Sequence, residues 1–399
     1  MDKKKVYGVL AKMSKKIKAL IKKTGAIRLL SLPLMMFWVL PIKQNRVLLV
    51  NFRGKPYGDS PKYIAEELRK HSELDLYWVI EKKKNNSIPE SIKQVRLYSL
   101  KFFYIMATAK IWVANSRFDS YMHKRKEQYY IQTWHGGLAL KKIEFDAEDK
   151  LDDYYKGLIK RENKVIDLMV SNSVFCTDMY RRGFRYKGKI IELGTPRNDV
   201  LIKGDPSARK RVLKYFGLGD VKIVVYAPTF RNKYDSNPYD IDFERLIGRL
   251  KENGYSNLVV LVRLHPMAQQ YSDKFFTFNN KIIDATRYPD MQDLILACDY
   301  LITDYSSVMF ESLIAKKPVI LYVKDIDEYA DERGYYFDLE KLPFVLAKNN
   351  NELDDRLKLL NGEKELKMYE EFKRQIGLKE SGKASEYLSE MILKECRIR

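Results

Sequence analysis

Two of the four histidines in this chain follow short apolar runs that are typical of buried strands. His135 comes after residues 129–133, and His265 comes after residues 257–262. A single histidine at such a position is more often a hydrogen-bonded structural residue than a catalyst. Two of them, one in each half of the chain, favour proton transfer near neutral pH, for which imidazole is well suited.

Residues able to hold an anion stand beside the same apolar runs. Glycines leave room for a ligand to approach the backbone, and arginines bind phosphate through paired hydrogen bonds. The set therefore predicts a site for an anionic phosphate ester. Its members are Gly136 and Gly137 after His135, Arg263 before His265, Thr229 and Arg231 after residues 221–226, and Thr195 and Arg197 after residues 189–192.

Residues 303–311 have the pattern of a phosphate-binding turn that opens a helix. An apolar run at residues 300–302 leads into a turn rich in hydroxyl side chains, and helically spaced apolar residues follow. Backbone N–H groups and the positive end of a helix dipole at such a junction suit a phosphate. Glu311 could accept a hydrogen bond from a ribose hydroxyl. The alternative is an ordinary capped strand–turn–helix unit.

Apolar runs alternate with helical patterns at a spacing typical of a parallel, doubly wound sheet. Asp205-Pro206 interrupts the series, so two α/β domains are predicted, with a ligand in the cleft at the carboxyl ends of both sheets. The predicted strands are residues 47–52, 75–80, 111–114, 129–133, 167–170 and 189–192, then 221–226, 257–262, 281–284, 300–302 and 318–323.

The length of 399 residues also suits two domains. The first is predicted to span residues 46–204 and the second residues 205–375. An N-terminal arm of residues 1–45 precedes them, and a C-terminal helix of residues 376–399 follows.

Positive charge is concentrated in the N-terminal arm. The chain has a formal net charge of +20, and residues 1–46 hold ten lysines and two arginines against Asp2 alone. A nucleic-acid-binding protein would spread its basic surface over the folded domains. A basic arm on a less charged body points instead to an anionic membrane surface.

The arm has the pattern of an amphipathic helix followed by an apolar segment. Apolar residues recur at three- and four-residue steps up to Ile21, with lysines around them. The uncharged run at residues 29–40 is too short to cross a bilayer and is interrupted by Pro33. We expect an anchor in the membrane plane with Trp38 at the interface. The alternative is a helix packed on the protein's own core.

The cysteines and histidines predict neither disulfides nor a metal site. The three cysteines are far apart, and the sequence has no CxxC or HExxH pattern. A reducing cytosol is therefore the expected compartment, and no metal or other cofactor is expected.

Five motifs of the sequence resemble those of the CDP-glycerol glycerophosphotransferase family, which contains teichoic-acid primases and polymerases and relatives in capsular polysaccharide synthesis. The resemblance covers roughly residues 46–340. The motifs are QTWHGG at 132–137 with the following Lys141-Lys142, APTFR at 227–231, RLHP at 263–266, TDYSSVMFESLIAKKPVILY at 303–322 and DEYADERGYYFD at 327–338.

The resemblance implies a GT-B architecture of two Rossmann-like domains, with the acceptor domain first and the CDP-donor domain second. It implies a peripheral enzyme at the cytoplasmic face of the membrane. This enzyme would transfer glycerol phosphate from CDP-glycerol to a hydroxyl of a lipid-linked saccharide or polyol-phosphate acceptor, and would release CMP.

Roles for individual residues also follow from the resemblance. His135 would be the general base on the acceptor hydroxyl, and His265 would stabilise the diphosphate. The implied nucleotide-binding turn is Thr303, Asp304, Ser306 and Ser307, with Glu311 near the ribose. The other implied substrate-binding residues are Gly136, Lys141, Thr229, Arg231, Arg263 and Arg333.

Alternatives to this function remain open at the level of sequence. The donor could be CDP-ribitol or a nucleotide sugar, and the product a capsular polysaccharide. One departure bears on the acceptor side: residues 137–140 separate His135-Gly136 from Lys141, one residue more than the family's usual pattern. A non-enzymatic basic protein that binds membrane or nucleic acid is the third alternative.

Overall fold

The structure of the protein is a computed structural model that contains two parallel β-sheets, each flanked by helices. It describes residues 31–81, 84–119, 122–229, 239–255, 257–265, 276–326, 334–359 and 362–398. The prediction of two parallel-sheet α/β units is confirmed. Most of the predicted amphipathic arm, residues 1–30, lies outside the described residues.

The first sheet has seven strands in the order β3-β2-β1-β4-β5-β6-β7, all parallel. Its inner strands are largely buried because helices cover both of its faces. The strands are β1 Lys43–Val50, β2 Asp75–Ile80, β3 Lys93–Arg96, β4 Ala109–Ala114, β5 Tyr129–Gln132, β6 Leu168–Ser171 and β7 Lys189–Glu192. We call this sheet with its helices the first domain.

The second sheet has six parallel strands in the order β10-β9-β8-β11-β12-β13. We call it, with its helices, the second domain. Its strands are β8 Lys222–Ala227, β9 Leu258–Val262, β10 Ile282–Asp284, β11 Tyr300–Thr303, β12 Val319–Tyr322 and β13 Val345–Ala347.

Thirteen α-helices are described. Those before residue 204 are α1 Leu32–Met35, α2 Asp59–Leu68, α3 Leu100–Thr108, α4 Asp153–Glu162, α5 Val174–Gly183 and α6 Asp199–Lys203. Those after it are α7 Pro206–Phe216, α8 Phe243–Glu252, α9 Met291–Ala297, α10 Val308–Ile314, α11 Asn350–Leu359, α12 Gly362–Gln375 and α13 Ala384–Glu395.

The last helix leaves the second domain and packs on the first. Leu388 and Ile392 of α13 are fully buried in a core cluster that also contains Ile64 and Leu68 of α2. The start of α13 is fixed by Asp199, whose carboxylate accepts hydrogen bonds from the backbone N–H groups of the first two residues of the helix at 2.9 and 2.7 Å. The predicted C-terminal helix is therefore part of the first domain's core.

Polar contacts join the two domains along the cleft between them. Lys62 of α2 forms an ion pair with Asp290 at the start of α9, with an Nζ–Oδ2 distance of 2.5 Å. Below the cleft, the backbone N–H of Tyr336 donates to the carbonyl of Leu140 at 2.8 Å. The carboxyl ends of both sheets face this cleft, where open α/β folds bind their ligands.

The described part of the arm packs on the first domain. Leu34 in α1 is fully buried, and Trp38 in the following 3-10 helix is half-buried against the same core. Part of the Trp38 indole therefore contacts the protein, and its position at a membrane interface stays a prediction. Among the residues described, no helix is long and apolar enough to cross a bilayer.

Candidate active site

A cavity of about 740 Å³ lies between the domains and is lined by residues of both. The first domain contributes Phe52, Lys55 and Asp59 from the segment after β1. The second domain contributes Arg263 after β9 and the turn after β11. Cationic side chains from two domains therefore meet at one cavity; Arg197 and Arg263 are residues that the strand-end pattern singled out, and Lys55 is not.

His135, three residues past the end of β5, does not itself line the cavity but adjoins the lining residue Phe52. Its ring packs against Phe52, with 5.3 Å between ring centroids, and against Trp134 at 4.2 Å. Its Nδ1 lies 2.9 Å from the backbone carbonyl of Asn115, which can only accept, so Nδ1 carries the proton. The lone pair of the neutral ring is then on Nε2, and this nitrogen can act as a base.

Burial lowers the pKa of His135 below its ordinary value. The carbonyl of Asn115 and the charge of Asp59 act in the opposite direction, and the nearby Arg197 and Arg117 lower the pKa further. The net shift keeps the imidazole neutral at pH 7, which is the protonation state that a general base requires.

The glycines after His135 permit close packing under the histidine. A Cβ atom on Gly137 would stand 2.2 Å from Nδ2 of Asn172 and 2.6 Å from Oγ1 of Thr195. Only glycine fits at this position. The carbonyl of Gly136 accepts a hydrogen bond from the hydroxyl of Tyr180, and its contact with substrate stays a prediction.

Arg197 connects the histidine loop to both domains. Its guanidinium forms ion pairs with Asp59 of the first domain and Glu311 of the second, and donates to the carbonyl of His135 at 2.9 Å. Burial alone would lower the pKa of Arg197, but the two carboxylates raise it. The sequence placed Arg197 at a strand end, yet no sequence signal identified these partners.

Glu311 lines the cavity, as expected for a residue near a ribose. Its carboxylate, however, pairs with Arg197 and also accepts from the side-chain amide of Gln292 at 3.1 Å. Burial raises the pKa of Glu311, and Arg197 opposes this. Any contact with a ribose would therefore use a carboxylate that is already held in position.

The structure divides the turn after β11 into an exposed and a buried part. Ser306 and Ser307 line the cavity. The hydroxyl of Thr303 is fully buried and donates to the carbonyl of Ala227 at 2.7 Å. The carboxylate of Asp304 is buried and accepts from the backbone N–H and the hydroxyl of Thr229, at 2.8 and 2.9 Å.

The side chains of Thr303 and Asp304 therefore hold the turn in place, and the prediction that this turn binds the nucleotide phosphates stays a prediction. Both side chains are buried, and their hydrogen bonds connect the turn after β11 to the end of β8 and the residues that follow it. Thr229 takes part in the same connection, because its backbone N–H and its hydroxyl donate hydrogen bonds to Asp304.

Arg263 and His265 follow β9 on the donor side. Arg263 lines the cavity, and its Nη1 donates to the backbone carbonyls of Ala285 and Tyr288. Burial lowers its pKa. His265 is exposed, and partial burial together with the positive charge of Lys55 lowers its pKa. Lys55 of the first domain therefore lies close to His265 of the second domain.

The predicted site residues that do not line the cavity include Gly136, Lys141, Thr229, His265, Thr303 and Asp304. Lys141 forms a backbone bridge with Tyr335 at the junction of the domains and is not among the residues that line the cavity. Arg231 and Arg333 lie outside the described residues. Within the described ranges, no group of three or more acidic, histidine or cysteine side chains could hold a metal ion.

Known proteins resemble the chain over most of its length. Residues 32–394 match the family described as CDP-glycerol:poly(glycerophosphate) glycerophosphotransferase. A teichoic acid glycerol-phosphate transferase of Staphylococcus aureus is 33% identical, over 80% of this chain and 84% of that protein. A teichoic acid poly(glycerol phosphate) polymerase of Bacillus subtilis is 31% identical over 90% of this chain, which spans 49% of the polymerase.

A solved structure shows the same architecture. The wall teichoic acid polymerase TagF, in a variant soaked with CDPG, superposes with a TM-score of 0.81 at 29% identity, covering 97% of this chain and 98% of that chain. The architecture is therefore GT-B-like. Because the match extends over nearly the whole sequence, the chain belongs to the CDP-glycerol:poly(glycerophosphate) glycerophosphotransferase family.

Proposed function

We propose that this protein transfers glycerol phosphate from CDP-glycerol to a hydroxyl of a lipid-linked acceptor in teichoic acid synthesis. The observation that supports this most directly is the neutral His135 beside a cavity whose other wall carries Arg263, Ser306 and Ser307. A base on one side and phosphate-binding groups on the other suit the transfer of a phosphoryl group between two substrates.

In the proposed step, Nε2 of His135 accepts the proton of the acceptor hydroxyl. The hydroxyl oxygen forms a bond to the β-phosphorus of CDP-glycerol, while the bond from that phosphorus to the bridging oxygen breaks. CMP leaves with the electron pair of that bond. Arg263, His265 and the two serines would stabilise the negative charge on the diphosphate and on CMP.

Relatives support glycerol as the polyol of the donor. The curated relatives named for glycerol phosphate include proteins 29–33% identical to this chain, and those named for ribitol phosphate include proteins 26–28% identical. Purified protein should release CMP from CDP-glycerol in the presence of a lipid-linked acceptor, and more slowly from CDP-ribitol. The proposal would be contradicted if CMP were released equally fast without acceptor. Full activity in both His135→Gln and His265→Gln would also contradict it.

We further propose that α1 and the 3-10 helix after it rest on the cytoplasmic surface of the membrane. Their outward face is apolar: Leu32 is 57% exposed, Met36 59% and Val39 88%. Lys43, which is also exposed, follows in the chain. Apolar side chains next to cations are typical of peripheral binding to anionic lipid.

Flotation with phosphatidylserine vesicles tests the membrane contact. Met36→Asp with Val39→Asp should reduce the bound fraction severalfold, as should deletion of residues 2–28. The control is Met368→Asp, which changes an exposed apolar residue of α12 and should leave the bound fraction unchanged. Unchanged binding of the first two variants would refute the contact.

A further inference from the structure

A second cavity, also of about 740 Å³, opens at the carboxyl ends of β1, β2 and β3. It lies wholly within the first domain. Its lining includes three cations, Arg53, Lys55 and Arg96, against one carboxylate, Glu81. Neither the motifs of the sequence nor the proposed donor site accounts for this cavity.

The walls of this second cavity have an unusual backbone. Phe52, Arg53 and Tyr98 all have positive φ angles, of 38°, 61° and 60°. Gly54, with φ 95°, approaches the next strand so closely that a Cβ would stand 2.9 Å from the backbone nitrogen of Glu81. A positive φ angle is energetically costly for a non-glycine residue, and residues in this conformation cluster at functional sites.

The second cavity adjoins the candidate base. Phe52 and Lys55 line both cavities, so the two meet at these side chains. The ring of Phe52 contacts that of His135, and the backbone N–H of Phe52 donates to Oδ1 of Asn115 at 2.8 Å. Because the carbonyl of Asn115 holds Nδ1 of His135, one residue fixes both the base and the edge of the cavity.

The cations of the second cavity are accessible to solvent. Arg53, Lys55 and Arg96 are exposed. Arg53 is oriented by an ion pair with Asp119, whose other oxygen accepts from the hydroxyl of Tyr98 at 2.6 Å. Tyr98, 47% exposed, adds an amphipathic wall on which a polyol or sugar can lie.

We propose that this second cavity is the acceptor subsite, and that Arg53, Lys55 and Arg96 bind a phosphate group of the acceptor. This inference rests on the proposed function. In a polyol-phosphate end of the glycerol type, three carbons separate the terminal hydroxyl from the phosphodiester. A hydroxyl beside His135 would then place its phosphate in the adjoining cavity, where arginines can bind it through paired hydrogen bonds.

The proposal has a consequence for substrate choice. An acceptor that already carries one glycerol phosphate should bind better than the same acceptor ending in an unphosphorylated sugar. The phosphate could also come from the diphosphate of the lipid carrier, which is farther from the reacting hydroxyl. The two sources are separated by soluble acceptors in which an alkyl chain replaces the lipid diphosphate.

The test compares Arg53→Gln and Arg96→Gln with the wild type on two alkyl-linked disaccharides, with and without one terminal glycerol phosphate. For the phosphorylated acceptor, each variant should raise KM about tenfold or more, because one charge-assisted contact is lost. The KM for CDP-glycerol and the KM for the unphosphorylated acceptor should stay within about twofold. Arg182→Gln, an exposed arginine of α5, is the matched control.

The outcomes distinguish this inference from the proposed function. If the wild type does not release CMP from CDP-glycerol with either acceptor, the proposed function fails. If CMP is released but both variants keep the wild-type KM for the phosphorylated acceptor, the subsite is refuted. It is also refuted if KM rises equally for both acceptors.

Discussion

The protonation state of His135 follows from its immediate surroundings. Its ring is packed between Phe52 and Trp134, and its Nδ1 proton is held by the carbonyl of Asn115. Burial makes the charged form costly and lowers the pKa. The motif around His135 indicates a catalytic histidine, but the direction of the pKa shift depends on neighbours that are distant in the sequence.

The lowered pKa of His135 predicts the position of the acid limb in the pH–activity profile. A base with a depressed pKa stays neutral until the pH falls below its ordinary range, so kcat/KM should fall only below about pH 6.5. His135→Gln should abolish transfer while leaving CDP-glycerol binding intact. The measurement is kcat/KM between pH 5 and 8. An acid limb above pH 7 would contradict the assignment.

Arg197 predicts a stability effect that its position in the sequence does not reveal. Arg197→Met leaves the buried carboxylates of Asp59 and Glu311 without their shared cation, and should lower the free energy of unfolding by about 3–5 kcal/mol. Adding Glu311→Gln should recover part of this loss, because one uncompensated charge is removed. Urea denaturation measures both. Equal stability of the single variant and the wild type would show that the cluster is not coupled.

At the level of elements, the sequence predicted every interior strand and two of the four edge strands, and it missed the edge strands β3 and β13. The apolar runs at residues 75–80 and 189–192 coincide with β2 and β7. β3 was missed because Lys93–Arg96 contains only one apolar residue, Val95, as an edge strand often does. α4 was not predicted because its helical face is largely polar, although Asp152 caps its start. The main signal in the sequence was the pattern of apolar residues on buried faces, so elements with few buried residues produced no such signal.

Alanine substitutions at Gly137, in the loop after β5, and at Gly248, inside α8, should have opposite effects on stability. Gly137→Ala would push a Cβ into Asn172, whose amide donates to Glu380 at 3.0 Å and is therefore not free to move. We expect a loss of about 1–3 kcal/mol in the free energy of unfolding, together with lower kcat because His135 is displaced.

Gly248 is the matched control for that substitution. It lies inside α8, and no atom stands within 4 Å of an added Cβ. Gly248→Ala should therefore raise stability by up to about 1 kcal/mol and leave kcat unchanged. Thermal unfolding and initial rates of CMP release measure both variants. Equal behaviour of the two would remove the packing argument for Gly137.

For the whole molecule, the sequence predicted that two domains form a cleft but not how they are joined. Strand ends could be located because the carboxyl ends of parallel strands meet at one edge. The interdomain contacts depend on pairs far apart in sequence, such as Arg197 with Glu311 and Lys62 with Asp290. No local pattern encodes these pairs. The same holds for α13, which returns to the first domain across the whole second domain.

This return of α13 makes the stability of the first domain depend on the end of the chain. Leu388 is fully buried against helices and strands of the first sheet, so Leu388→Ala should lower stability by about 2–5 kcal/mol. All four tryptophans, Trp38, Trp78, Trp112 and Trp134, lie in the N-terminal third of the chain. Their fluorescence therefore reports unfolding of the first domain alone.

Leu388→Ala should accordingly shift the urea midpoint of tryptophan fluorescence, although the substituted residue is more than 250 positions from the nearest tryptophan. Tyr387→Ala, at an exposed position of the same helix, should leave the midpoint unchanged. A shift in both variants would indicate lost helix propensity instead of lost packing. No shift in either would mean that α13 does not support the first domain. Because α2 packs on α13 and carries Asp59 at its start, the predicted loss should also weaken the contact of Asp59 with Arg197 at the cleft.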